Sequence, residues 1–150
     1  MNINDALIFF AAKYEGDFHR IYHALNTHEK VDVDQYLQLK KNIHHKSITL
    51  IDKNYPDFFK EINCPPIVLF YTGNKGLYDE FNPIKEIVLD DGTRAYCTID
   101  IAEQNNKLVF DYAIACENHD QVDKLMEHIK HKGIPLKDYS INKNKNEQVH

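Results

Sequence analysis

The sequence predicts an α+β protein: an N-terminal helical cluster followed by a mixed β-sheet of five or six strands with one long covering helix. Three observations lead there. Residues 1–45 repeat apolar side chains at helical spacing, with Asn or Asp ahead of each repeat. From Ser47 the apolar positions become β-branched runs and alternations, broken by Gly, Pro, Asn and Asp. Beyond Asn118 a helical stripe returns and runs to Gly133.

The elements follow in order. Asn4 or Asp5 is placed to cap a first helix carrying Leu7, Phe10, Ala11 and Tyr14, and Gly16 interrupts it. Asp17 then caps a second, with Phe18, Ile21, Tyr22 and Leu25 as its stripe. A third begins near Asp32 or Asp34, with Val33, Tyr36, Leu37, Leu39 and Ile43 as its apolar face. Helices this short do not stand alone in water, so they must pack against something else. Ser47–Ile51 reads as a strand, and Asn54-Tyr55-Pro56 opens a helix with Phe58, Phe59 and Ile62 inward. Pro65-Pro66 stops it. Ile67–Tyr71 is continuously apolar, which predicts a strand covered on both faces. Gly73-Asn74 ends that strand, and a short helix through Leu77 and Tyr78 follows.

The third region reads as a meander. Glu86–Leu89 is a short strand, and Asp90-Asp91-Gly92 is a hairpin signal, since glycine accepts the positive φ of tight turns. Arg94–Ala102 alternates, with Ala95, Cys97, Ile99 and Ile101 on one side. Gln104-Asn105-Asn106 turns into a strand from Leu108 to Cys116, with Leu108, Phe110, Tyr112 and Ile114 on one face. Asn118 or Asp120 caps the clearest helix, whose stripe is Val122, Leu125, Met126 and Ile129. Leu136–Ile141 is expected to return as an edge strand. The expected organisation is therefore a helical cluster over 1–45, an α+β sheet region over 46–142 and a disordered polar tail over 143–150.

Composition bounds the function. The 150 residues suffice for one ordinary domain. The formal net charge is -5. Residues 1–80 carry 9 basic and 11 acidic side chains and residues 81–150 carry 9 and 12, so neither half is drawn as a whole to phosphate. Nine histidines raise the charge as pH falls toward 6. No apolar run approaches the ~20 residues that span a bilayer, and no membrane partner is expected. The first residues lack the basic start of a signal peptide, so the cytoplasm is the expected compartment. Cys64, Cys97 and Cys116 are widely spaced and odd in number, which fits buried free thiols.

One stretch is distinctive. An Ile48-Thr49 strand leads to Tyr55-Pro56 opening a helix, then Pro65-Pro66 before the apolar strand Ile67–Tyr71, then Gly73-Asn74. In order and spacing this resembles the segment leading into the Rossmann-like domain of the DprA (Smf) family of DNA-processing proteins. The helical residues 1–45 sit where that family keeps a small helical domain, so the resemblance covers residues 1 to about 80. It implies contact with single-stranded DNA or with a protein of DNA metabolism. A shortened relative of this kind suits a phage or mobile element. The C-terminal half departs from the family: its later glycine-rich segments are missing, and Gly92-Thr93-Arg94 stands where a phosphate-type turn would be but reads better as part of a hairpin.

Candidate site residues follow. Lys40, Lys41, His44, His45 and Lys46 form the one basic cluster, with Tyr36 a turn earlier as an aromatic platform for a base. The plainer reading is a solvated helix end whose cations complement the helix dipole. Lys75, in Gly73-Asn74-Lys75-Gly76, could face a phosphate, and Arg94 carries over from the resemblance as a DNA contact. Cys116, His119, His128 and His131 are zinc-ligand types without the tight two-plus-two spacing of a structural site, so no metal and no cofactor is expected. No Walker loop, nucleophile elbow or zincin motif appears, so no enzyme is expected. The expected function is thus a non-catalytic accessory of DNA processing, acting by contact with a protein of DNA metabolism or by weak contact with single-stranded DNA through Tyr36, Lys40, Lys41, Lys46, Lys75 and Arg94. The alternative is an interaction or regulatory module that does not bind nucleic acid. A third reading, a small nucleotide-binding enzyme, would use Gly92-Thr93-Arg94. Oligomeric state is not legible in the sequence.

Overall fold

Asn2, two to three residues before the expected cap, starts the chain's first helix. Its side chain accepts the Asp5 N–H while the Asp5 carboxylate accepts the Asn2 N–H, a capping box that opens α1 (Ile3–Lys13). Asp17 caps α2 (Phe18–Asn26) as expected, and of the two expected starts Asp32 caps α3 (Val33–Lys41). A computed structural model describes residues 1–73, 84–88, 92, 94–132 and 141–142. The expectations for Leu77, Tyr78, Asp90, Asp91, Gly133, Leu136 and the tail 143–150 lie outside the described residues, as does Lys75.

β1 (Lys46–Thr49) is shorter than the β-branched run that suggested it. It stops at Thr49 because the Asp52 carboxylate accepts the Thr49 N–H at 2.7 Å and folds the chain into a turn. α4 (Asp57–Lys60) is a single turn after Pro56, with Phe59 buried and Phe58 exposed. The Tyr55 hydroxyl donates to the Pro66 carbonyl at 2.7 Å, so the Tyr-Pro and Pro-Pro pairs are joined across the segment they bracket. β2 (Val68–Gly73), β3 (Lys85–Val88), β4 (Arg94–Gln104) and β5 (Lys107–Cys116) follow, then α5 (His119–Lys132) and β6 (Ile141–Asn142).

The six strands form one sheet in the order β1-β2-β5-β4-β3, with β6 also beside β4. Every pairing is antiparallel except β4 with β6, so the sheet is mixed, and the α+β architecture stands as the sequence predicts. β2 is internal, between β1 and β5, which is why its run is apolar on both faces. β3 and β4 pair as a hairpin with Val88 opposite Arg94, and Gly92 in their connection has φ +85°.

Period-two alternation divides the core. On one face Ala95, Cys97, Ile99, Ile101, Ile114 and Phe70 meet Leu7, Phe10, Ile21, Tyr36, Val122 and Leu125. All three N-terminal helices and α5 therefore share this face and its core. On the other face Ile48, Leu69, Tyr96, Ala113 and Ala115 pack with Tyr55 and Phe59. Two helix stripes differ from expectation. Tyr22 is exposed while Ala24 is buried in α2. In α3 only Tyr36 is buried, and Val33 and Leu37 are 55% and 51% exposed. α3 packs chiefly against α1, so a single turn of its surface needs to be apolar.

Candidate functional site

The basic cluster begins at the end of α3, where Lys40 and Lys41 fall in the last turn, and continues through His44 to Lys46 on β1. Lys40, Lys41, His44 and Lys46 are exposed. Tyr36 is not an open platform. It is 6% exposed, and its hydroxyl donates to Asp5 Oδ1 at 2.9 Å. Burial, then that bond, push the Tyr36 phenol up to about 12, while the same bond holds Asp5 below the usual carboxylate range. Lys40 Nζ lies over the Tyr36 ring, 5.8 Å from its centre, a cation–π contact. His45 is drawn away from the patch, its Nε2 3.1 Å from Asp123 Oδ1 of α5.

Register splits the cluster between the two sheet faces. Lys46 pairs with Tyr71, which packs on the Tyr96 and Phe59 side, whereas Tyr36 belongs to the helix-covered side. Lys40 and Lys41 therefore lie on the helical side of the β1 edge and Lys46 on the other. Arg94 shares the face of Lys46. The row Lys46, Tyr71, Ala115, Tyr96 crosses four strands, and Arg94 is two residues along β4 from Tyr96. At about 4.8 Å per strand the rows of β1 and β4 that carry them are roughly 14 Å apart across the sheet.

Arg94 is surrounded by acid. Its Nη2 donates to the Tyr96 hydroxyl at 2.7 Å and lies 3.8 Å from Glu117 Oε1, while its Nε lies 4.0 Å from Glu86 Oε1. These two carboxylates offset its charge without closing hydrogen bonds on it. The Tyr96 bond, then the neighbouring acids, raise the Arg94 guanidinium further above its ordinary value.

Arg94 opens onto a cleft of about 570 Å³ that the sequence did not disclose. Four separate segments build its wall: Glu15, Phe18 and His19 around the α1–α2 turn, Cys64 before Pro65, Gly92 and Arg94 at the start of β4, and Cys116–Asn118 with Gln121 where β5 passes into α5. Gly16 holds the first segment against the last. A Cβ there would stand 2.7 Å from the Glu117 carbonyl oxygen, and its φ of +78° suits glycine. Glu117 is only partly exposed. Burial pushes its carboxyl up to about 7, Arg94 opposing this while Glu86 and Asp17 add to it. Cys116 is fully buried, and burial drives its thiol up to about 12, so it is no nucleophile. Cys64 is half-buried, with its Sγ 4.0 Å from His19 Nε2.

Among the described residues no group of three or more His, Cys, Asp or Glu side chains is placed to hold a metal ion, and no helix is long and apolar enough to cross a membrane. Glu117, His19 and Cys64 carry no motif spacing. Residues from four segments over a hundred positions meet here, and only the sheet register and the α1–α2 turn bring them together. Comparison with protein-family models, with curated proteins and with solved structures gives no match.

Proposed function

We propose that the chain is a non-catalytic, DprA-like accessory of DNA processing that contacts single-stranded DNA at the β1 edge of its sheet. One observation carries the reading. Lys40, Lys41 and Lys46 are exposed within seven residues, and no carboxylate lies within ion-pair distance of any of them among the described residues. Arg94, by contrast, is already compensated and contributes little. With Tyr36 buried, the contact is electrostatic and not based on stacking. About three neutralised phosphates on a single strand give a salt slope near -2, so binding is weak and salt-sensitive.

Fluorescence anisotropy of labelled oligo-dT at roughly 20–50 mM salt tests this, within a regime where charges act over 10 Å and more. Lys40→Glu, Lys41→Glu and Lys46→Glu together are expected to abolish binding with the melting temperature nearly unchanged. No binding by the parent protein, or binding that survives the triple substitution, overturns the reading.

A protein-interaction module is the second reading, and α3 favours it. Val33 and Leu37 stand one turn apart on its outer surface, both more than half exposed. Loss of partner capture on Leu37→Asp, with oligo-dT binding absent throughout, is the result that selects it.

A further inference from the structure

We propose that the cleft between Arg94 and Glu117 binds a guanine base. The two side chains present a guanidinium and a carboxylate side by side, 3.8 Å apart, at the wall of a cavity within the roughly 300–1,000 Å³ range of small-ligand sites. Arg94 has hydrogen-bonding capacity left over, and Glu117 sets an acceptor beside it. Among the described residues, one of the five N–H donors of Arg94 is engaged, by the Tyr96 hydroxyl. The Arg94 guanidinium lies beyond hydrogen-bond range of Glu117 Oε1. A partly buried carboxylate at the wall of a cleft is suited to accept from a ligand's donors.

Guanine matches this pair edge for edge. Its N1–H and exocyclic amine donate to a carboxylate, and its adjacent O6 and N7 accept from a guanidinium. Adenine keeps N7 but reverses the other two positions, with an acceptor N1 toward Glu117 and an amine in place of O6 toward Arg94, so the same wall disfavours it. Phe18 supplies an apolar side to the cleft, and its ring is parallel to Tyr22 within 14°. Pairing to guanine uses the ionised carboxylate. The groups facing Glu117 are Arg94 from β4, Glu86 from β3 and Asp17 from the α1–α2 turn, with Glu15 and His19 on the same cleft. Of these, only Arg94 favours ionisation against burial, so binding is expected to strengthen from pH 6 to pH 8.

None of Lys40, Lys41 and Lys46 lines this cleft, so guanine binding stands or falls apart from the strand contact at the β1 edge. Isothermal titration at pH 8 with GMP, AMP and inorganic phosphate tests it on the full chain. GMP is expected to bind at least about tenfold tighter than AMP, in keeping with one good bidentate pair, with phosphate binding weakest. Glu117→Gln is expected to erase the preference, and Arg94→Lys to reduce it, in variants shown to be folded by their melting curves. The Lys40, Lys41 and Lys46 triple substitution is expected to leave it unchanged. A second arm compares oligo-dT with the same oligomer carrying one dG. A gain from the dG marks a strand base as the ligand, and GMP binding without such a gain marks a free guanine nucleotide. Equal binding of GMP and AMP, or a preference that survives Glu117→Gln, overturns the proposal.

Discussion

Glu117 is a carboxyl that the fold keeps partly out of water, so its protonation is linked to folding. Its native pKa of about 7 lies above its ordinary 4.5. Between those values the folded chain holds a proton that the unfolded chain has released. The stabilisation from that proton is complete below about pH 4.5 and is lost as pH rises through 7, the sign opposite to that of a salt-bridged acid. Glu117→Gln is therefore expected to stabilise the protein at pH 8 by about 1–3 kcal/mol and to change it little at pH 5. Urea melts at the two values check this, and an equal effect at both contradicts the linkage. Nothing near Glu117 in the sequence announces this, because its burial depends on Gly16 and Arg94, far away in the chain. Tyr36 shows the converse. Its helical spacing marked it correctly as an apolar-face residue, and the same burial removes it as a stacking surface.

At the scale of elements, local rules were legible and packing between elements was not. Asp17 and Asp32 cap their helices because an Asn/Asp side chain satisfies free N–H groups within three residues, a purely local relation. Gly92 was legible for the same reason, as a turn glycine between two alternating segments. Gly16 reads only as an interruption, and its tight seat on the Glu117 backbone depends on tertiary packing. The two glycines are expected to differ on substitution. Gly92→Val meets open space and carries only the strain of a positive φ, roughly 1–2 kcal/mol. Gly16→Ala adds a clash with a main-chain carbonyl to a similar strain, and is expected to cost more, roughly 2–3 kcal/mol. Chemical denaturation of both variants orders them, and a larger loss at Gly92 would place the strain wrongly. α3 fails the stripe expectation because periodicity reports how much surface can be buried, not how much its neighbours cover.

Across the whole molecule the sheet is a two-sided divider, and β2 is its hinge of packing. Leu69 is fully buried on the Tyr96 and Phe59 side, within the apolar run that the sequence assigned to an internal strand. Leu69→Ala is expected to cost about 2–5 kcal/mol, measured by urea denaturation, and a loss under about 1 kcal/mol contradicts an internal position. That division also governs the proposed strand contact. Lys40 and Lys41 are on the helical side and Lys46 on the other, so a strand that touches all three must pass over the β1 edge. Removing one lysine–phosphate pair lowers the salt slope by a little under one for a single strand. If one strand spans the edge, Lys46→Glu alone lowers the slope by about 0.7, and Lys40→Glu with Lys41→Glu lowers it by about 1.4. Anisotropy titrations across a salt series separate the cases. A slope untouched by Lys46→Glu but abolished with the α3 pair confines the strand to the helical side. A slope abolished entirely by Lys46→Glu moves the DNA to the opposite face, which also carries Arg94.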